Sequence, residues 1–425
     1  MTDTVIKQAG PTFLDAQASD PVTMGWMIGS PPPADKQIRY ADGTFRDFPQ
    51  RRWALSNYRQ LMPTSNVARG TGPVSVLPIA MRHDIDDVKF QVLGSEQILT
   101  WAQSLSANYT DGIVVLHKGQ IVYERYFGVL KPQGQHVAMS VTKSFTGIIG
   151  AMLVAEGAIN ENELVSKYVP ELKDTGFGDA TVRQLLDMST SVKYSEDYTD
   201  PKAEIFTHVR AGGIAPRPHD YEGPKSFYEF LLTIKKAGTH GQAFAYKTID
   251  SDALGWVIRR VTGKSISENL QERIWSKLGA EQDAYFTIDS AGTEFAGGGL
   301  NAGLRDLARC GEMMRLDGNY NGQQIVPKDV VADIRQGADR DQFQKSAYNK
   351  ALPGWGYRNM WWVSNNEHGA YSARGVHGQA IYIDPKAEMV IARFASHPLA
   401  ANTNFDPTSL PAYHALAKHL LAYPQ

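Results

Sequence analysis

The chain has 425 residues, 42% hydrophobic and 21% charged, and its 43 basic and 45 acidic side chains give a net charge of −2. That profile excludes a disordered tail, a collagen and a disulfide scaffold, and it provides no strongly basic field for nucleic acid. One cysteine, Cys310, rules out an intramolecular disulfide and a multi-cysteine zinc site.

The first twenty residues have no basic segment followed by an apolar core, so no secretory signal is expected. No stretch approaches the roughly 18 apolar residues of a membrane span. The resulting expectation is a soluble cytoplasmic protein. Residues 1–90 are rich in Pro, Gly and Asp and read as an extended arm packed on a core, with one short helix over 53–61. A helix is expected over 96–106. Residues 111–128 contain two β-branched runs around Lys118-Gly119, which predicts a hairpin. Its period-2 pattern is imperfect, because each face mixes apolar and charged residues.

The run 140–156 carries Phe145, Ile148, Ile149 and Met152 at helical spacing and stops at Gly157. Further helices are expected over 181–188, 251–262, 267–278 and 305–316. Strands return at 361–364, 380–384 and 389–394, and a last helix covers 413–421. Strands clustered at both ends with helices between them indicate an α+β fold. In that arrangement one antiparallel sheet is covered by an early helix and the last helix. The expected division is an arm over 1–90, a sheet domain from 91–165 and 286–425, and a mainly helical lobe over 166–285.

The sharpest chemical feature is Ser140-Val141-Thr142-Lys143. Residues three apart on a helix share a face, so the hydroxyl and the amine are within reach of each other. At a helix start, unpaired N–H groups and the positive helix end lie beside the serine. A serine nucleophile needs an adjacent base, and a lysine with a lowered pKa can serve. A serine opening a helix is also a common N-cap. Lys143 is the only lysine with a serine three residues before it.

Other routes are weaker. There is no Gly-x-Ser-x-Gly and no His-Glu-x-x-His. His83-Asp84-Ile85-Asp86-Asp87 reads as a solvated acidic loop and Thr262-Gly263-Lys264-Ser265 as a helix end. Gly297-Gly298-Gly299 lacks the strand–helix setting of a dinucleotide site. Trp355, Trp361 and Trp362 read as core or cleft wall.

MSVTKSFTG at 139–147 resembles the nucleophile helix of the serine β-lactamase and penicillin-binding superfamily. Several segments continue the likeness in order: DGIVVLHKGQIVYERYF at 111–127, TVRQLLDMST at 181–190, SEDYTDP at 195–201, FAYKTIDSDALGWVIRRVTG at 244–263, GGLNAGLRDLAR at 298–309 and GVHGQAIYIDP at 375–385. The resemblance covers about residues 90–425 and is nearest to the class C-like branch of carboxylesterases and 6-aminohexanoate-dimer (nylon-oligomer) hydrolases. It implies a β-lactamase-like fold with Ser140 as the acylated nucleophile and Lys143 tuning the proton network. Tyr246 would take the serine proton and return it to the leaving group. It further implies an oxyanion hole from the Ser140 and Val376 N–H groups, and substrate contacts from Tyr198, Asn301 and His377.

The sequence departs from β-lactamases at two motifs. Tyr246-Lys247-Thr248 stands where they carry Tyr-x-Asn, and no Lys-Thr-Gly or Lys-Ser-Gly exists in the chain. Esters and linear amides are therefore the expected small-molecule substrates, with no metal and no cofactor. The stretch 206–210 offers no carboxylate for an amino end of a substrate. The competing readings are a non-catalytic binding protein and a weak β-lactamase or D-amino-acid peptidase. The oligomeric state is left open, a homodimer being one option.

Overall fold

The hairpin ending at Tyr126 and the C-terminal strands beginning at Gly356, about 230 positions apart in sequence, meet in one sheet. The computed structural model describes residues 13–423. Its seven-stranded antiparallel sheet runs Gly356–Arg358, Trp361–Val363, Tyr371–Gly375, Gln379–Asp384, Met389–Ala395, Thr110–His117 and Gln120–Tyr126. Ile391 stands opposite Val115, and a register shift falls between Phe394 and Ala395. Lys118 and Gly119 both take positive φ (51° and 78°), as a two-residue hairpin turn demands.

The mixed pattern of 111–128 has a simple cause: both faces of this sheet are covered. Val114, Leu116, Val390 and Ala392 pack into the larger apolar cluster, under the helix Leu304–Arg315. Ile113, Val115, Met389 and Ile391 point the other way, into a second cluster with Trp101, Leu105, Tyr413 and Leu416. The helices Trp101–Ala107 and Asp406–Ala422 therefore cover that second face. The α+β expectation holds.

Several boundaries differ from those expected. Residues Ile98–Thr100 pair with Lys89–Gln91, and the early helix starts only at Trp101, behind a capping box of Thr100 and Gln103. The helix expected over 267–278 is Ile266–Arg273 followed by a separate 3-10 turn, Trp275–Lys277. The last helix starts at Asp406 rather than 413. Pro407 sits in its first turn, where a missing N–H costs nothing, and Pro411 is tolerated inside it.

A second, four-stranded antiparallel sheet was not expected. It runs Thr64–Val67, Ala284–Thr287, Leu300–Gly303 and Gln135–Val137. Its strands of three or four residues are too short to carry a periodic signal. One edge strand belongs to the arm, whose Ile38, Phe45, Trp53, Leu55 and Tyr58 are buried in the main cluster. Near the expected 53–61 the arm forms two short helical segments, Arg51–Ala54 and Tyr58–Gln60, among several 3-10 turns. Residues 1–12 lie outside the described residues.

The helix Val141–Ala155 runs through the interior, with residues 141–153 all buried. It packs beside Thr248–Thr262, which ends at Gly263 in the left-handed conformation (φ 68°). No described helix is long and apolar enough to cross a membrane.

Candidate active site

Ser140 immediately precedes the interior helix. Its backbone is already helical (φ −68°, ψ −4°), and its hydroxyl makes no capping bond. The residue before it, Met139, has φ 47°, a strained conformation of the kind that clusters at functional turns.

Ser140 Oγ accepts a hydrogen bond from Lys143 Nζ at 2.8 Å, and the same ammonium donates to the Gly297 carbonyl at 2.5 Å. Lys143 is 1% exposed, and no carboxylate among the described residues lies within 4 Å of it. Burial lowers its pKa to about 8, against the opposing pull of Glu196 and Asp252. Tyr246 arrives from just before Thr248–Thr262. The Ser140 hydroxyl lies near enough to the phenol to favour its ionised form, and the ring centroid is 5.1 Å from Lys143 Nζ. Trp362 stacks on that ring at 5.5 Å and 28°, which fixes its plane. Burial and the charge of Glu196 push the Tyr246 phenol well above its usual pKa, so it rests protonated near neutral pH.

The hydroxyl, amine and phenol thus meet at one place. Ser140 and Lys143 line a cavity of about 680 Å³ that is walled on one side by the arm (Arg46, Asp47, Arg51) and on another by the loop Glu196–Thr199. The end of strand Tyr371–Gly375 lies alongside. A Cβ on Gly375 would stand 2.9 Å from the Ser140 nitrogen and 2.7 Å from the Ala138 carbonyl, so only glycine allows this approach. Val376 and His377 follow it into the cavity wall. His377 takes φ 63° and places Nδ1 2.7 Å from the His397 carbonyl. Burial and the neighbouring Arg51 hold its imidazole pKa well below the usual range, so it is neutral.

Tyr198 lines the cavity, 37% exposed, with its hydroxyl 3.5 Å from Glu196 Oε2. Asn301 is not in the cleft. It sits in the inner strand Leu300–Gly303 of the four-stranded sheet, fully buried, and its side-chain amide donates to the Gly299 carbonyl at 2.9 Å. Sequence pattern alone does not distinguish that strand from a cleft loop. Lys247 likewise faces inward, donating to the Thr190 carbonyl at 3.0 Å.

The cavity also holds carboxylates outside 206–210. Glu196 accepts from the Thr248 N–H, and Asp197 from the Thr199 hydroxyl at 2.6 Å. Arg46, Arg51 and Arg210 line it too, and none of these residues was singled out from the sequence. Neither the arm nor the stretch 206–210, which ends at Arg210, carries a recognisable motif. Three potential metal-binding side chains, Glu367, His368 and His414, bring ligand atoms within 4.8 Å of one another, but none of them lines this cavity.

A sheet flanked by helices, with a serine and a lysine one helical turn apart at the mouth of a cavity, defines a class, and residues 103–409 match the family described as Beta-lactamase. The chain belongs to that family. It is 34% identical over 355 residues to the 6-aminohexanoate-dimer hydrolase of Paenarthrobacter ureafaciens, covering 84% of this chain and 88% of that one. It is also similar to the solved structure of a Bacillus anthracis protein provisionally named 6-aminohexanoate-dimer hydrolase. That match has a TM-score of 0.82 and 35% identity, over 93% of this chain and 100% of the other. A family VIII carboxylesterase shares the fold, with a TM-score of 0.53 and 17% identity, over 74% of this chain and 96% of that one.

Proposed function

We propose that this protein is a serine hydrolase that cleaves ester or linear amide bonds of small molecules through an acyl-enzyme on Ser140. The observation that carries the reading is the contact of Ser140 Oγ with Lys143 Nζ, at 2.8 Å, beside a large cavity, with the Tyr246 ring centroid 5.1 Å from the same Nζ. The 6-aminohexanoate-dimer hydrolase it resembles is named for cleaving such a linear amide.

In the reacting form Lys143 is neutral, and the Ser140 hydroxyl donates to its Nζ. Oγ attacks the carbonyl carbon while its proton passes to Lys143. The developing oxyanion is received by the Ser140 and Val376 N–H groups. When the carbonyl reforms, Tyr246 gives its proton to the departing alkoxide or amine and is reprotonated by the Lys143 ammonium. Water then repeats the sequence on the acyl-enzyme and releases the acid and free Ser140. Lys143, with a pKa near 8, is the better first proton acceptor; the raised pKa of Tyr246 suits a donor. Tyr198 and His377 would shape the substrate side of the cavity.

Ser140→Ala is expected to abolish hydrolysis of p-nitrophenyl acetate and labelling by a fluorophosphonate. Retained turnover with no label on Ser140 in the unaltered protein would place the nucleophile elsewhere.

A further inference from the structure

We propose that Glu367, His368 and His414 form a site for one divalent ion of the zinc type, which clamps the C-terminal helix Asp406–Ala422 to the sheet. The site is separate from the reaction at Ser140, because none of its residues lines the catalytic cavity.

Two elements supply the ligands. Glu367 and His368 lie in the loop 364–370, between strands Trp361–Val363 and Tyr371–Gly375, and His414 lies on the helix Asp406–Ala422. The loop holds its own shape. Asn366 Oδ1 accepts the His368 and Ala370 N–H groups, at 3.2 and 3.0 Å, and Ser364 Oγ donates to the Ala370 carbonyl at 2.7 Å. Gly369 completes the turn with φ 67°, where a side chain would be strained. One ligand atom from each of the three side chains then falls within 4.8 Å of the other two. Glu367 Oε1 stands 3.2 Å from His414 Nε2. Two ligand atoms on a tetrahedral zinc, with bonds of about 2.0–2.1 Å, are separated by about 3.3 Å.

Both imidazoles suit a metal. Asp384, fully buried, places Oδ2 2.8 Å from His368 Nδ1, while its other oxygen accepts the Ala387 N–H at 2.9 Å. A carboxylate there makes Nδ1 the protonated nitrogen and leaves the Nε2 lone pair for a metal, the arrangement that backs most metal-binding histidines. His414 Nδ1 is buried with no hydrogen-bond partner among the described residues, so no bond at that nitrogen competes for the orientation of the ring. Burial and the charge of Lys418 lower the His414 pKa against the pull of Glu367. The ring is therefore neutral near pH 7, the form that binds a metal, and its contact with Glu367 is not an ion pair. Two imidazoles select zinc over Mg2+ and Ca2+, which take oxygen ligands. Three protein ligands leave a fourth position for water on the side of the exposed Glu367. An ion held only by the folded chain stabilises it by mass action.

The test uses untagged protein stripped with EDTA and dialysed, titrated with ZnCl2 by calorimetry and followed by thermal denaturation. One Zn2+ per chain is expected, with a Kd of about 10 µM or tighter, a threshold well short of the strength of closed structural zinc sites. The denaturation midpoint should rise with Zn2+, and a large excess of Mg2+ should not displace it. Glu367→Gln and His414→Gln should each weaken binding by about 10-fold or more and remove the rise in midpoint. His419→Gln removes a different histidine–carboxylate contact, Nε2 to Asp84 Oδ2 at 2.7 Å, and should leave the zinc affinity unchanged. A Kd weaker than the threshold, more than one ion bound at it, displacement by Mg2+, a smaller loss in either ligand variant, or a loss in His419→Gln would overturn the site. None of these results bears on the hydrolase reading, which stands or falls with Ser140→Ala.

Discussion

Ser140 is a weak nucleophile unless a neighbour removes its proton, and that constraint decides what Lys143 must be. Its folded pKa, lowered to about 8, leaves about a tenth of the amine neutral at pH 7 and most of it neutral by pH 9. kcat/KM for a neutral ester is therefore expected to rise with pH through about 8 and then level off; a rate independent of pH between 6 and 9 would remove Lys143 as the base. The same shift affects stability. The unfolded chain binds this proton up to about pH 10.5, so the Lys143 contribution strengthens as pH rises from 8 toward 10.5. Lys143→Ala and Tyr246→Phe should each lower kcat by about 10²-fold or more, the usual scale for acid–base groups. Steady-state kinetics with p-nitrophenyl acetate check this. A near-normal rate in either variant would exclude that residue from proton transfer.

At the scale of elements, the position of the nucleophile depends on how closely its helix approaches the loop between strands Gly356–Arg358 and Trp361–Val363. A Cβ on Gly147 would fall 2.1 Å from the Asn359 carbonyl oxygen. That loop cannot readily yield. Asn359 and Met360 both hold positive φ, the Met360 N–H donates to the Leu186 carbonyl at 2.9 Å, and Ser144 donates to the Met360 carbonyl at 2.7 Å. Gly147→Ala should therefore push the helix off the loop and cost about 1–3 kcal/mol or more. Urea denaturation gives the stability, and the same variant should lose activity because Ser140 moves with the helix. Unchanged stability would mean that the helix has free room to shift.

Across the whole molecule, the arm is a wall of the active site and is fastened to the sheet by Arg52. That side chain is 2% exposed and donates to Ser396 Oγ at 3.0 Å and to Asp111 at 3.3 Å, besides the Ala16 carbonyl. Arg52→Ala leaves the buried Asp111 carboxylate with only the Ser396 hydroxyl, at 2.9 Å, and the His136 imidazole, at 3.4 Å, and losses of this kind run to about 3–5 kcal/mol. The expected result is a lower denaturation midpoint and faster proteolysis of the arm. A midpoint within experimental error of the parent would show that the arm is held by its apolar contacts alone.

What the sequence determined by itself is local or ordered along the chain. The Lys118-Gly119 hairpin, the interior helix from 141, the Gly263 stop and the serine–lysine pair all follow from neighbours within about four residues, where spacing dictates geometry. The ordered motifs likewise pointed to Tyr246 from a remote segment. Tertiary structure alone decided the rest. Asn301 became an interior strand residue because three- and four-residue strands are defined by their partners rather than by a pattern. The four-stranded sheet, the burial of both faces of the hairpin and the three cleft arginines share that cause. Arg46 and Arg210 are 164 positions apart, and no periodicity along the chain records that folding brings their charges to one cavity.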